Sequence, residues 1–300
     1  MKFHSTLIAS RSARRALRPV LDQLDQRIDR KLRSARRELT VLREELQRKH
    51  STDLLLGRDG RLTDRQPSRE EIVELAAQIA VVTGRDSAYK ETVLAYRTLV
   101  ELENRGVGRI AGSTRNILGK LAATPLLGPP NGEVLEIGTL YGLFAGGMAR
   151  QLLRSGLSYQ LTIVDPLNPV QLQPGFEISS DPSGTPVTEA VVRANLAYAG
   201  VEDARLRLRK GFSEDPAVRE ELSDRQYGVL IIDGDHSFEG VAADLEWAER
   251  VAAPGAVIVM DDFGDGRWAG VREATEKRLA GDTRLRMIGQ VATSAFLRAI

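Results

Sequence analysis

The chain has 300 residues, 42% of them hydrophobic, which suffices for one large domain with appendages or for two domains. Its 42 Lys and Arg stand against 41 Asp and Glu, a balance that argues against a polyanion-binding role for the whole chain. With no cysteine, disulfide frameworks, thiolate catalysis and cysteine-ligated zinc are excluded. No apolar run reaches the roughly 20 residues of a membrane helix, and the apolar patch at 6–9 is too short for a signal peptide, so a cytoplasmic protein is expected.

Residues 1–50 hide a local asymmetry, with 14 Lys and Arg against 6 Asp and Glu. They contain no glycine and one proline, Pro19, and read as a basic amphipathic helix. From Ile28 through Leu32, Ala35, Leu39 and Leu42 to Leu46 the apolar steps alternate four and three, the seam of a coiled coil, although Asp25 interrupts its front. Self-association through this helix, giving a homo-oligomer, is the first expectation; contact of the arginine face with an anionic membrane surface or nucleic acid is the second. Residues 51–68, with Gly57, Gly60 and Pro67, read as a linker.

A helical cap or oligomerisation region follows at 69–125. Ser68 with Glu71 three residues on has the form of a capping box ahead of Ile72, Leu75, Ala76 and Ile79. Further helices are expected at 87–103 and 113–123. After Pro129-Pro130-Asn131-Gly132 the texture changes. Strands at 133–137, 161–164, 205–209, 229–232 and 256–260 alternate with helices at 143–155, 186–199, 215–222 and 240–251. That alternation predicts an α/β fold from 126 to 300, a Rossmann-like, doubly wound parallel sheet. Two last strands, 285–289 and 294–299, would close it as a terminal antiparallel hairpin.

Four motifs sit at predicted strand ends, where ligands of open α/β sheets bind. In Val134-Leu135-Glu136-Ile137-Gly138-Thr139-Leu140-Tyr141-Gly142 an acidic strand end leads into two glycines four apart. The spacing is not that of a dinucleotide fingerprint, and no phosphate-gripping Lys-Ser/Thr follows, which disfavours a nicotinamide dehydrogenase and excludes a P-loop. Asp165 ends the second strand 27 residues past Gly138, where a carboxylate can receive ribose hydroxyls; the alternative is a turn before Pro166. Gly211-Phe212-Ser213-Glu214 either borders a base or caps the helix that begins near Pro216.

The fourth motif carries the chemistry. Asp233-Gly234-Asp235-His236-Ser237-Phe238-Glu239-Gly240 and, 28 residues past Asp233, Asp261-Asp262 bring carboxylates to two neighbouring strand ends. Asp233, Asp261 and Asp262 form an oxygen-rich set suited to Mg²⁺. His236 is the imidazole available there as a near-neutral base, since His4 and His50 lie outside the core.

The glycine turn resembles motif I of class I methyltransferases. The pattern as a whole, from about Glu133 to Ile300, resembles methyltransferase family 24, the catechol-O-methyltransferase-like group that includes metal-dependent macrolide sugar O-methyltransferases. The resemblance implies S-adenosylmethionine as cofactor, with contacts at Glu136, Gly138, Thr139, Tyr141, Gly142, Asp165, Ser213 and Asp233. It also implies magnesium at Asp233, Asp261 and Asp262, and His236 as base. The implied acceptor is a hydroxyl of a small sugar, polyketide or phenolic molecule. Asp261 stands where the sugar enzymes have glutamate. Competing readings are a metal-free class I methyltransferase acting on another atom and a non-catalytic adenosylmethionine-binding scaffold. A nucleic-acid acceptor ranks low, because no stacking aromatic cluster accompanies the core. The segment 166–186 reads either as a lid over the acceptor, touching it through Phe176 and Glu177, or as a disordered surface loop.

Overall fold

In the computed structural model the described residues are 23, 26–46, 67–108, 110–168 and 185–300. The chain divides into two compact units, Met1–Leu54 and Leu55–Ile300. In the first, residues 26–46 are a helix (α1), and Ile28, Leu32, Leu39, Leu42 and Leu46 along its seam are all about half exposed or more, at 49–66%. The front of the predicted helix, most of the linker at 51–68 and the central part of the predicted lid, including Phe176 and Glu177, lie outside the described residues. No helix among the described residues is long and apolar enough to cross a membrane.

The second unit begins with three packed helices, α2 (Arg69–Thr83), α3 (Ala88–Asn104) and α4 (Thr114–Leu126). The capping box is formed: Glu71 N donates to Ser68 Oγ at 3.2 Å, and Ser68 N donates to Glu71 Oε2 at 2.7 Å. This satisfies two backbone or cap groups that helix entry would otherwise leave without partners. Helix α4 is buried almost all round, from Asn116 to Thr124 without a break, as befits a helix wedged between other layers.

The sheet follows with β1 (Glu133–Ile137), α5 (Leu143–Arg154), β2 (Gln160–Asp165), α6 (Glu189–Tyr198), β3 (Leu206–Lys210), α7 (Pro216–Leu222), β4 (Tyr227–Ile232), α8 (Phe238–Val251), β5 (Ala252–Met260), α9 (Ala269–Ala280), β6 (Leu285–Val291) and β7 (Ser294–Ala299). Its strand order is β3-β2-β1-β4-β5-β7-β6. The first five strands pair in parallel, and β7 enters antiparallel between β5 and β6. The predicted doubly wound sheet with its closing hairpin is therefore the observed fold. Alternate strand residues serve opposite faces. Val134, Ile163, Val229, Ile231 and Val259 join the layer of α2 to α6, while Leu135, Ile137, Val164, Leu230, Ile232 and Met260 join that of α7 to α9. Burial on both faces explains why these strands read as continuous apolar runs.

Two elements differ from the sequence reading. Strand β5 begins four residues earlier than expected, because Pro254 and Gly255 sit within it beside a register irregularity between Tyr227 and Val229. Helix α9 has no counterpart in the sequence reading; only Val271, Ala274 and Thr275 are buried along its twelve residues, so its apolar stripe is thin.

Candidate active site

The order reverses between β1 and β4, and the carboxyl ends of these strands and their neighbours are in step. Ile137 pairs with both Val164 and Ile232, and Ile232 with Met260. Beyond the strands the ladder continues through Gly138 N to Val164 O, Asp233 N to Ile137 O and Asp261 N to Ile232 O, each 2.9–3.0 Å. Gly138, Asp165, Asp233 and Asp261 are thereby gathered along one edge, at the crevice where open α/β sheets bind ligands.

The first strand end makes a sharp turn. Gly138 has φ 85°, and a Cβ there would collide with the carbonyl oxygen of Asp233, so only glycine fits. Asp165 holds this turn from the next strand. Its Oδ2 accepts from Thr139 N at 2.7 Å and Leu140 N at 3.2 Å, and its Oδ1 accepts from Leu167 N at 2.6 Å. Those bonds stabilise Leu140 in its left-handed conformation, φ 55°. Tyr141 is packed in the core, with its hydroxyl donating to Thr185 O at 2.7 Å. Gly142 begins α5 with φ 84°.

Glu136, near the end of β1, is buried, and its Oε2 and the neighbouring Thr139 Oγ1 make no hydrogen bond of good geometry, interacting only weakly with each other. Burial pushes the Glu136 carboxyl up to about 8; Thr139 and Lys120 oppose the shift and Asp165 adds to it. Two poorly satisfied buried oxygens beside a glycine turn suit a ligand that brings donors. Ser213 does not cap α7. Asp215 does, accepting from Ala217 N at 2.9 Å, because Pro216 takes the first helical position. Ser213 instead interacts with the buried Asp244 and offers its carbonyl to Arg219 Nε at 2.6 Å.

The acidic motif forms a compact cluster. His236 Nε2 lies 3.5 Å from Asp262 Oδ2 and 4.0 Å from Asp233 Oδ1, its ring 4.8 Å from that of Trp268. Burial alone would lower the imidazole pKa, but the hydrogen bond it donates to Asp262 and the charges of Asp233, Asp262 and Asp261 outweigh it and raise it. Asp235 serves the turn, accepting from Ser237 N and Oγ, and Ser237 caps α8. Asp262 adopts a left-handed backbone, φ 53°, an arrangement that aspartate tolerates.

Sequence reasoning missed the residue at the centre of this cluster. Lys120, 2% exposed on α4, places Nζ 2.8 Å from Asp233 Oδ2 and 2.7 Å from Asp261 Oδ1. One helical turn earlier, Asn116 donates to Asp261 Oδ1 at 2.8 Å and Asp262 Oδ1 at 3.4 Å, and Ser294 Oγ on β7 lies 3.0 Å from Asp261 Oδ1. Desolvation alone would lower the lysine pKa, yet the two carboxylates raise it above its ordinary value, so it is an ammonium ion. Burial and the charge of Asp261 raise Asp233, while Lys120 overcomes burial at Asp261 and lowers it. A lysine inside an unbroken apolar stretch, Ile117 to Ala123, was the available signal.

A cation-binding set can be drawn from Asp233, His236 and Asp261, whose ligand atoms lie within 4.8 Å of one another. Asp262 is not in that set. The donors do not fit magnesium as they stand: two of the three already share the Lys120 ammonium, and the third is an imidazole, whereas Mg²⁺ favours oxygen.

The model of a methyltransferase-domain family, methyltransferase family 24, matches residues 135–263, from β1 to just past the second carboxylate pair. Over this segment, 129 of the 300 residues, the chain is similar to methyltransferase domains. No curated protein matches the sequence. Among solved structures, the chain is similar to a candidate O-methyltransferase from Klebsiella pneumoniae, at 25% identity over 69% of this chain and 89% of that one, TM-score 0.45. It is also similar to the cofactor-bound protein Rv0187 from MTB, at 23% identity over 78% and 98%, TM-score 0.46. A third is the O-methyltransferase NovP, at 17% identity over 76% and 98%, TM-score 0.47.

Proposed function

We propose that this protein transfers the methyl group of S-adenosylmethionine to a hydroxyl oxygen of a small acceptor. The observation that carries the reading is the meeting of an imidazole with Asp233, Asp261 and Asp262 beside the glycine turn. Adenosylmethionine, when bound, supplies an electrophilic methyl group on a sulfonium sulfur. Glu136 and Thr139, with their poorly satisfied oxygens, receive its donors in this reading, and Gly138 lets it approach the backbone. The His236 imidazole receives the proton that the acceptor hydroxyl releases as the oxygen–carbon bond forms and the carbon–sulfur bond breaks. Asp262 and Asp233 orient the imidazole and stabilise the imidazolium. Most of the rate enhancement falls to holding oxygen, carbon and sulfur in line.

The test is formation of adenosylhomocysteine with a panel of sugar, phenol and polyketide alcohols, by wild type and by His236→Ala. Loss of at least a hundredfold in turnover, with cofactor binding kept, is expected. Near-native turnover in the variant would remove His236 as base, and cofactor binding without turnover on any acceptor would favour a binding scaffold.

A further inference from the structure

Helix α4 lies outside the segment that matches the methyltransferase family, yet it reaches the reactive end of the sheet. We propose that Lys120 on this helix is the site's resident cation: its ammonium occupies the place between Asp233 and Asp261 in which a divalent ion would sit.

Three observations support this. The first is saturation. Asp261 Oδ1 accepts from both Lys120 Nζ at 2.7 Å and Asn116 Nδ2 at 2.8 Å, which leaves that oxygen no lone pair for a metal, and Ser294 Oγ packs against it at 3.0 Å. The second is immobility. Lys120 is buried together with its neighbours Ile117, Leu118, Leu121, Ala122 and Ala123, and its ammonium also faces the Phe144 ring at 4.9 Å. Moving it to solvent would take the side chain out of a packed layer, so an incoming ion cannot simply displace it. The third is charge. A divalent ion bonded to these oxygens at about 2.1 Å would stand within a few ångströms of a fixed ammonium, with no water between to screen the repulsion.

Asn116 and Lys120, four residues apart, lie on one face of α4 and present a donor row to both strand ends. Lys120 is a positioning residue: it holds two adjacent carboxylates in fixed orientations beside His236 without contact to the reacting atoms. The acceptor hydroxyl is then deprotonated by the protein's own groups. This proposal deepens the methyl-transfer reading and rests on it for its catalytic meaning, but its test reads metal binding alone.

The experiment is a Mn²⁺ titration of the full chain followed by electron paramagnetic resonance, with adenosylhomocysteine present. Wild type is expected to show no stoichiometric binding up to about 1 mM Mn²⁺. Lys120→Met, which uncovers the carboxylate pair, is expected to bind one ion per chain at least tenfold more tightly, and Lys120→Arg to behave as wild type. One Mn²⁺ per wild-type chain in the micromolar range overturns the proposal, even if Lys120→Met fails to fold. So does a folded Lys120→Met that gains no affinity. Wild type that binds neither manganese nor adenosylhomocysteine leaves the resident cation standing and removes the methyl-transfer reading; wild type that binds both does the reverse.

Discussion

The segment 135–263 and the helical block 69–126 reach the same crevice by different physics. The first delivers carboxylates at strand ends, where backbone ladders hold Gly138, Asp233 and Asp261 in step. The second delivers donors, Asn116 and Lys120, from a helix buried on almost every side. Neither half is electrostatically complete: the strand ends alone would crowd like charges, and the helix alone would bury an ammonium without a partner. Strand-end chemistry thus recurs as a recognisable pattern, while its neutralisation can come from an element with no pattern of its own.

That complementarity can be broken most sharply at Lys120. Lys120→Ala should destabilise the protein by about 3–5 kcal/mol in denaturant titrations, because it leaves a partly buried carboxylate pair uncompensated; a loss within 0.5 kcal/mol, a threshold of the order seen for surface substitutions, would show that block and core are independent. Within the core alone, Gly138→Ala should cost about 2–4 kcal/mol and abolish adenosylhomocysteine binding, through both the left-handed backbone and the collision with the Asp233 carbonyl.

A smaller effect belongs to the far edge of the sheet. Glu249 accepts from Arg278 Nε at 2.7 Å, Thr283 Oγ1 at 2.8 Å and Arg284 N at 2.8 Å. Burial alone would raise its pKa, but these bonds prevail and lower it. A carboxyl with a depressed folded pKa stabilises above its unfolded value, about 4.3, and loses that contribution as pH falls through the folded value. Glu249→Gln should therefore cost about 1–3 kcal/mol at pH 7, and the gap to wild type should close in acid. The smallest effect is confined to the helical block: Ser68→Ala, which removes the capping-box oxygen, should cost about 1 kcal/mol and leave cofactor binding unchanged.

What could be read from the sequence follows the same division. The parallel strands were legible because burial on both faces forces continuous apolar runs, and Asp233 and Asp261 because they end such runs. The closing hairpin was legible from two short apolar segments joined by a tight connection. Lys120 was not, because a lone lysine in a helix ordinarily marks a solvated face, and its burial depends on strands more than a hundred residues away. The work of Asp165 was only half legible: its position at the strand end was evident, but its carboxylate accepts from the backbone of Thr139 and Leu140, and side-chain spacing does not encode such bonds. Of the two readings of Ser213 the helix cap fails, because Pro216 takes the first helical position and makes Asp215 the cap.

The exposed apolar seam of α1 invites a parallel proposal, that Ile28, Leu32, Leu39, Leu42 and Leu46 pair with a second copy of the chain as a coiled coil. Sedimentation of the full chain and of a variant lacking residues 1–50 tests it: the full chain should be an oligomer and the variant a monomer.

The central claim concerns the crevice at the ends of β1, β2 and β4. Calorimetric titration of the purified full chain with adenosylhomocysteine tests it most directly. One molecule bound per chain, with binding weakened at least tenfold in Glu136→Ala, is the predicted result. A folded wild-type chain that takes up no ligand, or takes it up equally well without Glu136, would contradict the account.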